Sequence, residues 1–313
     1  MNDGGVFESG MLGVDLSYDV KGGAAKLSLE KRIGRISKDY EEFLAEDKEG
    51  SEVLYLQRYE DLDPRKDDLK LTELELKKRI KKAQRLIGTL NYIRTRGRID
   101  IEYALGKISR FAVYPHEKVF VALRKLLKYV VRPRDYEITL RRGRIQTNTL
   151  TVAADASLAT EFDMKSRIAG LIWFGDNLIY GFSKKSTLIC DSSTEVEIGA
   201  LNFSVKIANL LRYKIERLVN MTVKIEILTD SKATIGFLKQ VYFRPRTKLI
   251  GIRIEKLKYL LHDPNVSLFK IEGKSNPADV LTKPVTIEKF DILRKIIQGK
   301  CWKYGAEWSA LSV

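Results

Sequence analysis

Leu76, Ile80, Ala83, Ile87 and Leu90 recur at spacings of four, three, four and three, which predicts a helix over 72–97 with one apolar stripe. Thr72, with Glu75 three residues later, opens it as a capping box, and Gly97 marks its stop. A second helical segment covers 101–111. A third covers 116–131, with Phe120, Leu123, Leu127 and Val130 inward and Lys118, Arg124, Lys125 and Lys128 outward. After Asp135 the pattern changes to β. Strands are predicted over 136–140, 149–154, 168–174 and 178–182, the last two joined by the hairpin turn Gly175–Asp176–Asn177. A helix follows over 194–218, with Ile198, Leu201, Val205, Ala208 and Leu211 on its core side. Then come a strand over 223–229, helices over 231–239 and 247–261, a strand over 266–271 and helical turns from Ala278. Ahead of all this, strands over 11–16 and 24–29 flank the turn Lys21–Gly22–Gly23, and 39–68 reads as an acidic, loop-like stretch broken by Asp63–Pro64. The order predicts an α/β fold, a mixed sheet with flanking helices, preceded by a small helical domain.

Charge changes the picture of that helical domain. Residues 71–150 carry 20 Lys and Arg against 7 Asp and Glu, whereas residues 1–70 carry 11 against 17. A surplus of 13 in 80 residues is the footprint expected of a surface that grips a polyanion by its phosphates. A merely solvated basic surface is the alternative. The whole chain of 313 residues has a formal charge of +15, and its 44% hydrophobic content suits globular domains. Two cysteines do not make a disulfide framework, and two histidines lack the partners for a zinc site or a Ser-His-Asp triad. No stretch of the sequence is long and apolar enough for a transmembrane helix, and no secretory signal is visible at the N-terminus.

Four acids stand out by position. Asp155 ends the apolar run 150–154, Glu197 lies early in the helix over 194–218, Asp230 ends the strand over 223–229, and Asp279 follows Asn276–Pro277–Ala278. A carboxylate at the end of a buried strand is costly unless something compensates it. An oxygen-only set without His or Cys suits Mg²⁺ or Mn²⁺. Each acid also has a plainer role: Asp155 could open a turn, Asp230 could cap the next helix, and Asp279 could favour a helix N-terminus. Glu195 competes with Glu197, since residues two apart on a helix face different ways.

These residues also carry a resemblance. Ala154–Asp155–Ala156–Ser157, Ser183–Lys184–Lys185–Ser186, Ser192–Ser193–Thr194–Glu195–Val196–Glu197–Ile198, Leu228–Thr229–Asp230–Ser231–Lys232 and Ala278–Asp279–Val280–Leu281–Thr282–Lys283–Pro284 resemble, in order and spacing, the ribonuclease H domain of copia-type LTR retrotransposon Pol polyproteins, most like the yeast elements. The segments 84–92, 98–101 and 11–16 resemble the chain between polymerase and RNase H and the exit from the polymerase palm. The resemblance implies an RNase H-like mixed five-stranded sheet in 136–285. It implies a palm-edge remnant and acidic linker in 1–70, a basic thumb or connection in 71–135, and a C-terminal helix and tail in 286–313. It selects Glu197 over Glu195, because Ile198–Gly199–Ala200 follows it.

Carried over to these positions, the resemblance implies that Asp155, Glu197 and Asp230, with Asp279 as fourth acid, hold two Mg²⁺ ions, Mn²⁺ being a substitute. The implied activity is cleavage of the RNA strand of an RNA–DNA hybrid during reverse transcription. Lys78, Lys82, Arg85, Arg94, Arg96, Lys184, Lys185, Arg244 and Arg246 are candidate nucleic-acid contacts. Partners would be the hybrid, the remaining Pol domains or a second copy, in the cytoplasm within a virus-like particle, or in the nucleus. The alternative is a non-catalytic nucleic-acid-binding remnant of a truncated Pol. Two departures matter: no histidine lies near Asp279, and no Tyr/Phe-x-Asp-Asp polymerase pair occurs in the chain.

Overall fold

A computed structural model describes residues 6–46, 62, 71–132, 136–141, 148–187, 189–243, 248–300 and 309–310. The chain divides into two compact units, residues 1–142 with 284–301, and residues 143–283 with 302–313.

In the first unit, β1 (Val6–Met11), β2 (Val14–Asp19), β3 (Ala24–Ser28) and β4 (Glu137–Arg141) form an antiparallel sheet in that order. β4 is the strand that the sequence grouped with the following domain. Its register sets Ile138 opposite Leu27 of β3. Residue alternation identifies a strand, but it does not identify the neighbour. Helix α1 (Glu30–Asp39) forms where the sequence predicted no element, and α2 (Glu41–Ala45) opens the stretch expected to be loop. Ile33 and Ile36 anchor α1 among charged residues, too few apolar positions to give a clear period.

The long helix α3 (Glu73–Thr95) starts with the expected capping box: the Glu75 amide donates to Thr72 Oγ1 (3.3 Å) and the Thr72 amide to Glu75 Oε2 (2.9 Å). Its buried residues are Ala83, Leu86, Leu90 and Ile93, so the stripe is turned toward Leu86 and Ile93 from the one predicted. α4 (Glu102–Ile108), flanked by 3-10 turns at Ile99–Ile101 and Ser109–Phe111, and α5 (Glu117–Val131) complete the predicted trio. The C-terminal helix α9 (Ile287–Ile297) belongs to this unit and buries Phe290, Leu293, Ile296 and Ile297. Arg98 and Asp100 form a fully buried ion pair at 2.9 Å, with Tyr129 donating to Asp100 (2.6 Å) and the guanidinium over the Tyr136 ring at 4.2 Å.

The second unit holds β5 (Thr149–Ser157), β6 (Arg167–Phe174), β7 (Asn177–Lys185), β8 (Lys224–Thr229), β9 (Val266–Lys270) and a two-residue edge strand β10 (Ser309–Ala310). Their order is β10-β9-β8-β5-β6-β7. β5, β6 and β7 are antiparallel neighbours, while β5–β8 and β8–β9 are parallel. The order β7-β6-β5-β8-β9 is the RNase H-like mixed five-stranded sheet that the family resemblance implied. Helices α6 (Ser193–Val219), α7 (Lys232–Leu238) and α8 (Lys248–Leu261) accompany it. Gly170 lets α6 approach β6, because a Cβ there would collide with Ser204 Oγ and the Phe182 ring. Among the described residues no helix is long and apolar enough to cross a membrane.

Candidate active site

The parallel pairing of β5 and β8 sets Ala153 opposite Leu228. Two residues further along the chain stand Asp155, within β5, and Asp230, just past the end of β8, so the register brings both acids to the same edge. Ligand sites of open α/β sheets form outside the carboxyl ends of parallel strands. β9, parallel to β8, delivers the segment 271–283 to this edge.

That segment is fixed by side chains from the sheet. Asn276, fully buried, donates from Nδ2 to the Ala154 carbonyl (3.0 Å) and accepts at Oδ1 from the Ala278 amide (3.0 Å). Pro277 then begins a 3-10 turn, Pro277–Leu281, whose five residues are all buried. Ser183 Oγ on β7 donates to the Leu281 carbonyl (2.5 Å) and accepts from Arg167 Nη1 (3.0 Å), while Arg167 pairs with buried Glu161 at 2.7 Å. The turn is thereby held onto the sheet, with Asp279 buried in it. The Thr282 hydroxyl donates to Asp155 Oδ2, and the Lys283 ammonium lies 2.9 Å from Asp279 Oδ1.

The electrostatics follow from this packing. Burial is the largest influence on Asp155; with repulsion from Asp279 and Asp230 it pushes the carboxyl up to about 7, against the pull of the Thr282 hydroxyl and the Lys283 charge. Asp230 is likewise raised, chiefly by burial and then by Asp279, opposed by the Asn276 side chain and Lys283. For Lys283, burial acts downward, but the bond to Asp279 and the charges of Asp155, Asp279 and Asp230 hold it above the ordinary lysine value.

Three of the four expected acids, Asp155, Asp230 and Asp279, therefore feel one another. Glu197, half-buried on α6, is not among the strongest influences on Asp155 or Asp230. Its rival Glu195 is engaged elsewhere: it accepts from the Asp191 amide (3.2 Å) and faces Arg253 at 3.4 Å. The donor chemistry fits a hard divalent cation, being oxygen-only with three acids against one ammonium. Among the described residues, however, no group of three or more Asp, Glu, His or Cys side chains is placed to hold a metal ion. Sequence reasoning missed Asn276 and gave Thr282 and Lys283 no role. Asn276–Pro277 is a turn signal that could have flagged the first, and the other two stood within the quoted motif.

The basic candidates divide. Lys78 and Lys82 are exposed on α3, though Lys82 Nζ lies over the rings of Phe43 (4.9 Å) and Phe120 (5.5 Å). Arg85, exposed on the same helix, lies over Tyr40 at 6.0 Å, and Arg96 lies over Tyr92 at 5.3 Å. Arg94 is tied to Glu102 at 2.5 Å and to Asn91 at 2.8 Å, which gives it a structural job. Lys184 Nζ sits 3.4 Å from the centre of the Phe203 ring, and Lys185 pairs with Asp163 at 2.8 Å. Arg244 and Arg246 lie outside the described residues.

No family model matches the sequence. The Ty1-JR1 Gag-Pol polyprotein of Saccharomyces cerevisiae is 30% identical over 230 residues, which are 72% of this chain and 13% of that polyprotein. The truncated Ty1-A Gag-Pol polyprotein of the same yeast is also 30% identical over 230 residues, 72% of this chain and 19% of the relative. The chain thus spans less than a fifth of the curated relatives it matches. Among solved structures, RNase H1 of Halobacterium salinarum is 14% identical with a TM-score of 0.33, covering 43% of this chain and 94% of that one. The fold is read from the strand order itself.

Proposed function

The chain is a homologue of the Ty1 Gag-Pol polyproteins of yeast, and from that premise we propose that it is a nuclease of RNase H type. It would cleave the RNA strand of an RNA–DNA hybrid during retrotransposon reverse transcription. The observation that carries this reading is the register of β5 and β8, which sets Asp155 and Asp230 side by side with Asp279 turned in beside them. Asp155, Asp230 and Asp279, with Glu197 drawn in from α6, would hold Mg²⁺, or Mn²⁺ in its place. Two such ions supply a water nucleophile and stabilise the leaving oxygen. The chain's own residues do the positioning. Asn276 ties the acid-bearing turn to β5, Ser183 fastens its end, and the Thr282 hydroxyl orients the Asp155 carboxylate.

The exposed cations of α3, Lys78, Lys82 and Arg85, would bind the hybrid by its backbone, recognising shape and 2′-hydroxyls and not base sequence. The remaining Pol segments or a second copy would complete the assembly, within a cytoplasmic virus-like particle. Purified protein incubated with a labelled hybrid and Mg²⁺ should cut the RNA strand, and Asp155→Asn should not. Absence of cleavage, or cleavage that survives Asp155→Asn, sinks the proposal.

A second reading, a nucleic-acid-binding remnant without catalysis, rests on the surplus of 13 basic over acidic residues in 71–150. Hybrid binding that weakens with salt but brings no Mg²⁺-dependent cleavage would select it.

A further inference from the structure

Lys283 has a role that neither the sequence pattern nor the function above requires. It follows the turn that carries Asp279, and its ammonium reaches back to Asp279 Oδ1 at 2.9 Å. The residue before it, Thr282, donates its hydroxyl to Asp155. Two consecutive residues thus serve two of the three acids gathered at this edge, one with a hydrogen bond and one with a full charge. Asp155 and Asp230 also feel that charge. The acid set thus has an internal cation lying among it. The Lys283 side chain is 49% exposed, so its flexible stem lies along the solvent side while its end is held by the buried carboxylate.

We propose that Lys283 is the resident counter-cation of this acid set, and that a divalent metal enters by displacing its ammonium from Asp279. The inference rests on the metal-dependent reading above. The exchange breaks one ion pair and makes metal–oxygen bonds, and the ammonium keeps its proton. Lysine is suited to this use because it is a compact point charge on a four-carbon stem. A divalent ion and an ammonium would repel each other at such short range.

The test is Mn²⁺ binding to metal-free protein, followed by loss of the free-ion paramagnetic resonance signal, in wild type, K283R, K283Q and Asp155→Asn. K283Q, lacking the competing charge, should bind Mn²⁺ about tenfold more tightly, an effect within reach of one charge a few ångströms away. K283R should bind like wild type. In unmodified protein, acylation of Lys283 read by mass spectrometry should rise when Mn²⁺ is added, because displacement frees the amine; this arm needs no variant to fold. A K283Q midpoint equal to or weaker than wild type, or Lys283 acylation that Mn²⁺ leaves unchanged, overturns the inference. If wild type and K283Q both fail to bind Mn²⁺, the metal reading falls and takes this inference with it. Binding by both at one midpoint removes this inference alone.

Discussion

Asp155 shows how a single side chain sets opposing demands. The apolar run 150–154 draws the strand into the core and carries a carboxylate with it. Burial and two neighbouring acids raise that carboxyl to about 7, while an aspartate in an unfolded chain titrates at roughly 4. The folded state therefore holds its proton more tightly. The stability this contributes is complete below about pH 4 and is lost as pH rises through about 7, at no more than about 1.4 kcal/mol per pH unit. Thermal melts of the metal-free protein should fall in Tm across that window, and Asp155→Asn should flatten the slope. A wild-type Tm that climbs over the same window would contradict the assignment. Asn276 is the second residue with a measurable share. Asn276→Ala leaves the Ala154 carbonyl and the Ala278 amide without its hydrogen bonds in the core. Urea unfolding should show a loss of about 1–3 kcal/mol.

Elements were the most legible scale, because helix and strand periods are local. The capping box at Thr72 was read from residue types alone and has the expected hydrogen bonds. Thr72→Ala should cost about 1 kcal/mol, seen as an earlier circular-dichroism melt. The face that α3 buries was less legible: the stripe turns toward Leu86 and Ile93 because what packs there is set by residues distant in sequence. The contact of α6 with β6 is of the same kind. Gly170→Ala forces a methyl against Ser204 and Phe182, and its cost should be about 1–3 kcal/mol in chemical denaturation. Wild-type stability in that variant would mean the helix has room to move away. Choosing Glu197 over Glu195 needed the family resemblance, and the structure adds that Glu195 is occupied by the Asp191 amide and Arg253.

At the scale of the whole molecule, the chain leaves the first unit after residue 142 and returns to it at residue 284. Helix α9 is therefore a late-arriving part of the first core: Phe290 meets the Tyr129 ring edge-on at 5.8 Å, and the Gln298 carbonyl accepts from the Thr139 amide (3.1 Å). Truncation after Lys283 should destabilise the first unit while sparing the second, from which it removes only the edge strand β10 and the flanking tail. Of the three tryptophans, Trp302 and Trp308 go with the tail, so Trp173, buried in β6, then reports the second unit alone. Its fluorescence transition should stay in place while the helical circular-dichroism signal melts earlier; a matching shift in both would refute the division. The sequence by itself determined the helices and the strands β5 to β9 of the second unit, the basic surplus of residues 71–150 and the positions of Asp155, Asp230 and Asp279 as candidate acids, since periodicity, charge and residue type are carried along the chain. Only the tertiary structure decided that β4 pairs with β3, that α9 joins the first unit, and that Asn276, Thr282 and Lys283 complete the acid site. The physical reason is separation: Asn276 meets Ala154 across 122 positions and Thr282 meets Asp155 across 127, and no local pattern records a contact made by folding.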